Sequence, residues 1–228
     1  MTLNICVSIK SKTIQETLTL IEKAETAKAD FIEVRLDDLG EKPKLSDLTS
    51  STKIPLIATN KLLSEKSGFT GKSTQLWQTL TNAADNGFQY VDLDLAAREL
   101  EKHIVYLKEL GVKSIVSFHH FDGALSSQEM HDVLNSEICS GADVCKIVGT
   151  AKKVQDNLTV LNFISENADK TRLVCFCMGE QGKISRLLSP VFGAFFTFAA
   201  LTQGSETAPG QICINEMKTV YSLLRQEP

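Results

Sequence analysis

Lys146 sits in the middle of an apolar stretch, VCKIVG over 144–149, and His119 ends another, SIVSFH over 114–119. A lysine flanked by apolar residues is expensive to desolvate if it does nothing. In a low-dielectric pocket with other cations nearby, its pKa falls and it becomes a nucleophilic amine. Such an amine condenses with a ketone, and the protonated imine makes the adjacent C–H acidic. A histidine titrates near working pH and is the natural base for that proton. The pair points to carbon-acid chemistry, either an elimination or a carbon–carbon cleavage. Other polar residues occur in similar surroundings: Ser8 in CVSI, Glu33 and Arg35 in FIEVRLD, Asp92 and Asp94 in YVDLDL, and Ser117 two positions before His119. Glu33 with Arg35, taken alone, reads equally well as a structural ion pair.

What must hold these residues is a series of short apolar, β-branched runs separated by helical patterns. Strands are expected at Leu3–Ile9, Phe31–Leu36, Ile54–Thr59, Tyr90–Leu95, Ser114–Phe118, Asp143–Gly149, Leu173–Met178 and Val191–Phe198. The last is also compatible with partial helix. Helices are expected at Ile14–Lys28, Leu45–Ser50, Thr74–Asn86, Ala97–Leu110, Ser127–Ser140, Val154–Asn167, Ser185–Leu188 and Asn215–Leu224. Gly87 and Gly111 fall where helices should stop. Eight strand–helix units predict a parallel sheet that closes into a single (β/α)8 TIM barrel spanning residues 1–228. An open doubly wound sheet is the alternative, but no Gly-x-Gly-x-x-Gly follows the first strand.

Parity then sorts the strand residues. With Ile32, Val34 and Leu36 toward the helices, Glu33 and Arg35 point into the lumen. The same count sends Ser8, Asp92, Asp94, Ser117, His119 and Lys146 inward. Most lie near the C-terminal ends of their strands, where barrel active sites are built. His120 has the opposite parity and reads as a partner or packing residue. His103 and His131 read as surface residues of helices.

Composition narrows the partners. The chain has 228 residues, 43% hydrophobic and 23% charged, with a formal net charge of -4. That balance argues against nucleic acid or an anionic membrane surface, which require concentrated positive charge. No apolar run approaches the length of a membrane span, about 20 residues, and the N-terminal stretch reads as a first strand rather than a signal peptide. The six cysteines form no Cys-x-x-Cys pair and read as small, buried, reduced side chains of a cytoplasmic protein. No spacing suggests a metal site.

In its ordered motifs the sequence resembles the type I 3-dehydroquinate dehydratases, the Schiff-base-forming enzymes of the shikimate pathway. The resemblance runs along nearly the whole chain: Ser8 on the first strand, Glu33-Val34-Arg35-Leu36-Asp37 on the second, Ser117-Phe118-His119-His120-Phe121, Lys146-Ile147, Met178-Gly179 through Ser185-Arg186, and Thr207-Ala208-Pro209-Gly210-Gln211. It implies that Lys146 forms an imine with 3-dehydroquinate, that His119 moves the proton, and that Arg186 grips the substrate carboxylate. Ser8, Glu33, Arg35, Lys61, Glu65, Thr207 and Gln211 would complete the substrate site, with Glu33 or Glu65 also placed to orient His119 or the cations, and Gln203–Gln211 would form a lid. The resemblance further implies no cofactor and suggests a homodimer serving chorismate and aromatic amino acid biosynthesis. In some organisms this domain is fused to a shikimate dehydrogenase.

Three positions depart from the family pattern. Its usual Thr-x-Arg, with Glu-Gly-Gly starting four residues after that arginine, reads here as Thr59-Asn60-Lys61 and then Glu65-Lys66-Ser67-Gly68. Thr207 replaces a serine, and His120 replaces a common aspartate. Lysine keeps the arginine's charge but not its planar fork. Two other readings compete. One is a Schiff-base aldolase or transaldolase acting on a sugar phosphate, compatible with Gly179 and Gly182. The other is a catalytically weak barrel serving as a binding module, which gains only from Lys61 and His120.

Overall fold

Each apolar run becomes a strand and each intervening pattern a helix, so alternation in sequence becomes two concentric layers. The computed structural model describes residues 3–40, 44–61 and 70–224. The strands are β1 Ile5–Ile9, β2 Phe31–Arg35, β3 Leu56–Thr59, β4 Tyr90–Asp94, β5 Lys113–His119, β6 Val144–Thr150, β7 Leu173–Met178 and β8 Thr197–Ala199. The helices are α1 Ile14–Thr26, α2 Leu45–Ser50, α3 Thr70–Asp85, α4 Leu100–Glu109, α5 Ser127–Cys139, α6 Asp156–Asn167, α7 Lys183–Leu188 and α8 Ile214–Leu224. All strand pairings are parallel, in the order β7-β6-β5-β4-β3-β2-β1-β8. The seam between β7 and β8 is drawn together by the Phe195 N–H, which donates to the Leu173 carbonyl at 2.8 Å. The result is a (β/α)8 TIM barrel.

Local chemistry explains the boundaries. The Thr13 hydroxyl caps α1 by accepting from the Glu16 N–H, and Ser126 with Glu129 forms a reciprocal capping box that starts α5. Gly87 and Gly111 adopt φ +92° and +73° after α3 and α4, a region that glycine enters without penalty. Several boundaries shift, with α3 beginning at Thr70 rather than Thr74 and β3 at Leu56 rather than Ile54; two of the shifts have a clear local cause. The 97–110 helix begins only at Leu100, because Asp94 holds a turn: its carboxylate accepts from the Ala96 N–H at 2.8 Å and its carbonyl from the Ala97 N–H at 2.9 Å. The 191–198 strand shrinks to Thr197–Ala199. Pro190 opens a 3-10 turn over Ser189–Phe192, and Gly193 at φ +106° ends it.

The pleat gives the sheet two apolar faces. Outward residues such as Val34, Leu93, Val116 and Ile147 pack under the helices. Inward residues Phe31, Ile57, Ile115, Val174, Phe176, Phe196 and Phe198 fill the lumen from below, with Phe31, Phe195 and Phe196 in mutual ring contact. This plug supports the polar layer above it. Among the cysteines, Cys6, Cys145, Cys175 and Cys177 are buried, whereas Cys139 at the end of α5 is exposed and Cys213 half-exposed, contrary to a uniformly buried set. His103 is also less of a surface residue than expected, because its ring stacks on Trp77 at 3.7 Å.

Candidate active site

The strand registers set the polar layer residue by residue. Ser8 lies beside Glu33, Arg35 beside Thr59, Thr59 beside Asp92, Asp94 beside Ser117, and Ser117 beside Lys146. His119 stands one inward position above Ser117, so it overlooks Lys146 from the adjacent strand. Lys146 is buried, at 5% exposure. Its Nζ donates to Asp92 Oδ2 at 2.9 Å, approaches Glu33 Oε1 at 4.0 Å, and lies 4.4 Å from the centre of the Phe198 ring. Asp92 also accepts from the Ser117 hydroxyl at 2.7 Å and pairs with Lys61 at 3.0 Å. Burial by itself would raise the Asp92 pKa, but Lys146 and Lys61 outweigh it and hold the carboxyl far below the usual range.

Glu33 is fixed by hydroxyls. Ser8 donates to its Oε2, and Thr59 donates to its Oε1 at 2.8 Å. Of the two partners expected for Glu33, it lies with a cation, Lys146, and with the Ser8 and Thr59 hydroxyls, and it makes no hydrogen bond to His119. Glu65 lies outside the described residues. The His119 pKa is pushed well below 6.5, first by burial and then by the cations Lys146 and Lys61. The imidazole is therefore neutral at physiological pH and able to accept a proton. Its ring lies parallel to that of Phe121, which is 58% exposed at the mouth. His120 faces away, as its parity requires, with Nδ1 3.1 Å from the Gly123 carbonyl.

Arg186 on α7 is 1% exposed, yet no carboxylate among the described residues pairs with it. It stacks over Phe176 at 4.2 Å, Nη2 donates to the Pro209 carbonyl at 3.4 Å, and Nε has no hydrogen-bond partner. Burial pulls its pKa down, but a guanidinium keeps its proton in proteins. A buried, under-partnered cation of this kind fits an anionic ligand group. Arg35 differs, because it is already clamped by Asp37 through Nε at 2.9 Å and Nη2 at 2.6 Å.

The 207–211 segment closes one side. The Thr207 hydroxyl donates to Ser8 Oγ at 2.8 Å, and Gln211 holds Thr207 in turn: Oε1 accepts from the Thr207 N–H at 2.7 Å, and Nε2 donates to its hydroxyl at 3.1 Å. Gly210, at φ +76°, packs so closely that an added Cβ would lie 2.2 Å from the Gly179 carbonyl oxygen. The Gly179 N–H also donates to the Pro209 carbonyl at 3.1 Å.

The structure thus gathers Lys146, His119, Glu33, Ser8, Lys61, Thr207 and Arg186 around one mouth of the barrel. Parity alone had placed Asp92 and Ser117 in the lumen without a role; both prove central to the charge network. Thr59, quoted only within the Thr59-Asn60-Lys61 motif, carried no assigned role there; it holds Glu33, and its alternation with Ile57 gives the same inward signal. Among the described residues no three His, Cys, Asp or Glu side chains converge as a metal-binding group, and no helix is long and apolar enough to cross a membrane.

Comparison with known proteins agrees with this geometry. Residues 5–228 match the family model for type I 3-dehydroquinase. A 3-dehydroquinate dehydratase from Dehalococcoides mccartyi is 32% identical over 208 residues, covering 90% of this chain and 92% of the relative. One from Methanosarcina barkeri is 31% identical over 222 residues, covering 92% of each. The crystal structure of a type I 3-dehydroquinate dehydratase from Clostridium difficile, bearing covalently modified comenic acid, superposes with a TM-score of 0.87 at 26% identity, covering 97% of this chain and 92% of that one.

Proposed function

Because the chain belongs to the type I 3-dehydroquinase family, we propose that it dehydrates 3-dehydroquinate to 3-dehydroshikimate through an imine on Lys146. The observation that carries the reading is the seat of Lys146, a buried amine at the C-terminal mouth with a neutral histidine on the next strand. In this mechanism Nζ adds to the C3 ketone and the carbinolamine loses water to give a protonated imine. His119 takes a proton from C2, and the electron pair moves toward the imine. The C1 hydroxyl then departs as water after receiving a proton from His119, which returns to its neutral form. Hydrolysis of the imine consumes one water and frees Lys146, so one water is lost overall.

Arg186 would pair bidentately with the substrate carboxylate. Ser8, Glu33, Arg35, Lys61, Thr207 and Gln211 would hold the ring hydroxyls, with Glu65 contributing from outside the described residues. The lid would exclude water from the imine. The family reading extends to one catalytic domain over 1–228, acting as a cytoplasmic homodimer in the third step of chorismate and aromatic amino acid biosynthesis. A sugar-phosphate aldolase is less well supported, since Arg186 suits a planar carboxylate.

The test is chemical trapping. The purified chain is incubated with 3-dehydroquinate, reduced with borohydride, and mapped by peptide mass spectrometry. A substrate-derived mass on the Lys146 peptide, absent from Lys146→Ala, is the expected result. No adduct, or an adduct formed only with sugar phosphates, overturns the reading.

A further inference from the structure

Lys61 follows β3 and reaches back into the lumen. Its Nζ donates to Ser117 Oγ at 2.9 Å and lies 3.0 Å from Asp92 Oδ1, with Asp94 Oδ2 at 3.8 Å. The other oxygen of the same carboxylate, Asp92 Oδ2, takes Lys146 at 2.9 Å. One buried carboxylate therefore carries two ammonium groups, one on each oxygen.

We propose that Lys61 is a positioning residue for imine formation: by sharing Asp92 with Lys146, it weakens the hold of that carboxylate on the Lys146 ammonium and sets the pH at which the attacking amine is free. This rests on the reading of Lys146 as the imine-forming group. An amine attacks only without its proton, and each anion near an ammonium stabilises the protonated form. The groups facing Lys146 are Glu33 from β2, Asp92 from β4, His119 from β5 and the Phe198 ring from β8. Cys6 on β1 feels its charge, and Glu137 on α5 lies behind its strand. Arg35 is committed to Asp37. Two carboxylates and an aromatic face all favour the ammonium, and His119 is neutral. Lys61 is the cation that counters them at the shared carboxylate.

The experiment compares the wild-type chain with Lys61→Met, Lys61→Gln and Lys61→Arg. Each is saturated with 3-dehydroquinate and trapped with cyanoborohydride over a pH series, the Lys146 adduct is counted by mass spectrometry, and KM is measured alongside. Loss of the charge in Lys61→Met should move the trapping midpoint up by about one pH unit, making trapping roughly tenfold slower below the midpoint. Lys61→Gln retains a donor for Ser117 and provides the same measurement if the methionine variant folds poorly. Lys61→Arg should keep the wild-type midpoint. If both neutral variants retain that midpoint and only KM rises, Lys61 merely holds substrate and the proposal fails. If the wild-type chain itself gives no adduct, the imine reading is lost and this inference with it, a result distinct from an unmoved midpoint.

Discussion

Glu137 offers a test of the electrostatics that is independent of catalysis. It lies on the buried stripe of α5 with Met130 and Leu134, is 0% exposed, and makes no hydrogen bond of full geometry on either carboxylate oxygen, with only the Lys146 N–H and the Cys145 thiol close enough to favour its charged form. Burial, reinforced by the negative charge of Asp92, raises its pKa from 4.5 to about 9. The folded chain therefore keeps a proton that the unfolded chain releases above 4.5. By linkage, stability is greatest below 4.5, falls as pH rises toward 9, and levels off beyond. One bound proton corresponds to about 1.4 kcal/mol per pH unit, so about 3 kcal/mol is lost by pH 7. Glu137→Gln has nearly the same shape and no proton to exchange. Its stability relative to the wild-type chain should climb by up to about 4 kcal/mol between about pH 5 and about pH 8. Denaturant unfolding at each pH measures this, and the slope of the difference is informative even if the amide packs imperfectly, since imperfect packing adds only a constant offset. A difference that stays flat over that range would falsify the assignment of Glu137 as a buried neutral acid.

Two further outcomes bear on the site itself. His119→Ala should still give the borohydride-trapped Lys146 adduct while turnover falls about 10²- to 10⁴-fold; in the wild-type chain, the acid limb of kcat should lie below pH 6.5, because burial and the neighbouring cations depress the His119 pKa, and a limb at or above 6.5 contradicts that placement. Gly210→Ala places a methyl 2.2 Å from the Gly179 oxygen at a left-handed backbone position, so the lid must shift and kcat/KM should drop roughly tenfold, measurable by steady-state kinetics, whereas wild-type kinetics would show that the 207–211 contact is not needed.

How much of this was readable beforehand depends on which physical constraint acts at each position. A strand's alternation is rigid, so once Val34 and Leu36 are set against the helices, Glu33 and Arg35 have one place to go. The same holds for Asp92, Ser117, His119 and Lys146, and all of them lie where parity put them. The element boundaries erred where side-chain hydrogen bonds or backbone specials compete with periodicity: at Asp94, which delays α4, and at Pro190 and Gly193, which cut the β8 run to three residues. Pairing within the lumen was not legible, because parity fixes direction while partner choice depends on register and side-chain reach. Asp92 thus looked like one polar residue among several, although two lysines from different strand ends converge on it. Glu137 left no signal at all. A single glutamate on an amphipathic helix is ordinarily solvated, and only the closeness of α5 to β6 makes it buried. There desolvation outweighs the contacts with the Lys146 N–H and the Cys145 thiol and keeps a proton on the carboxylate.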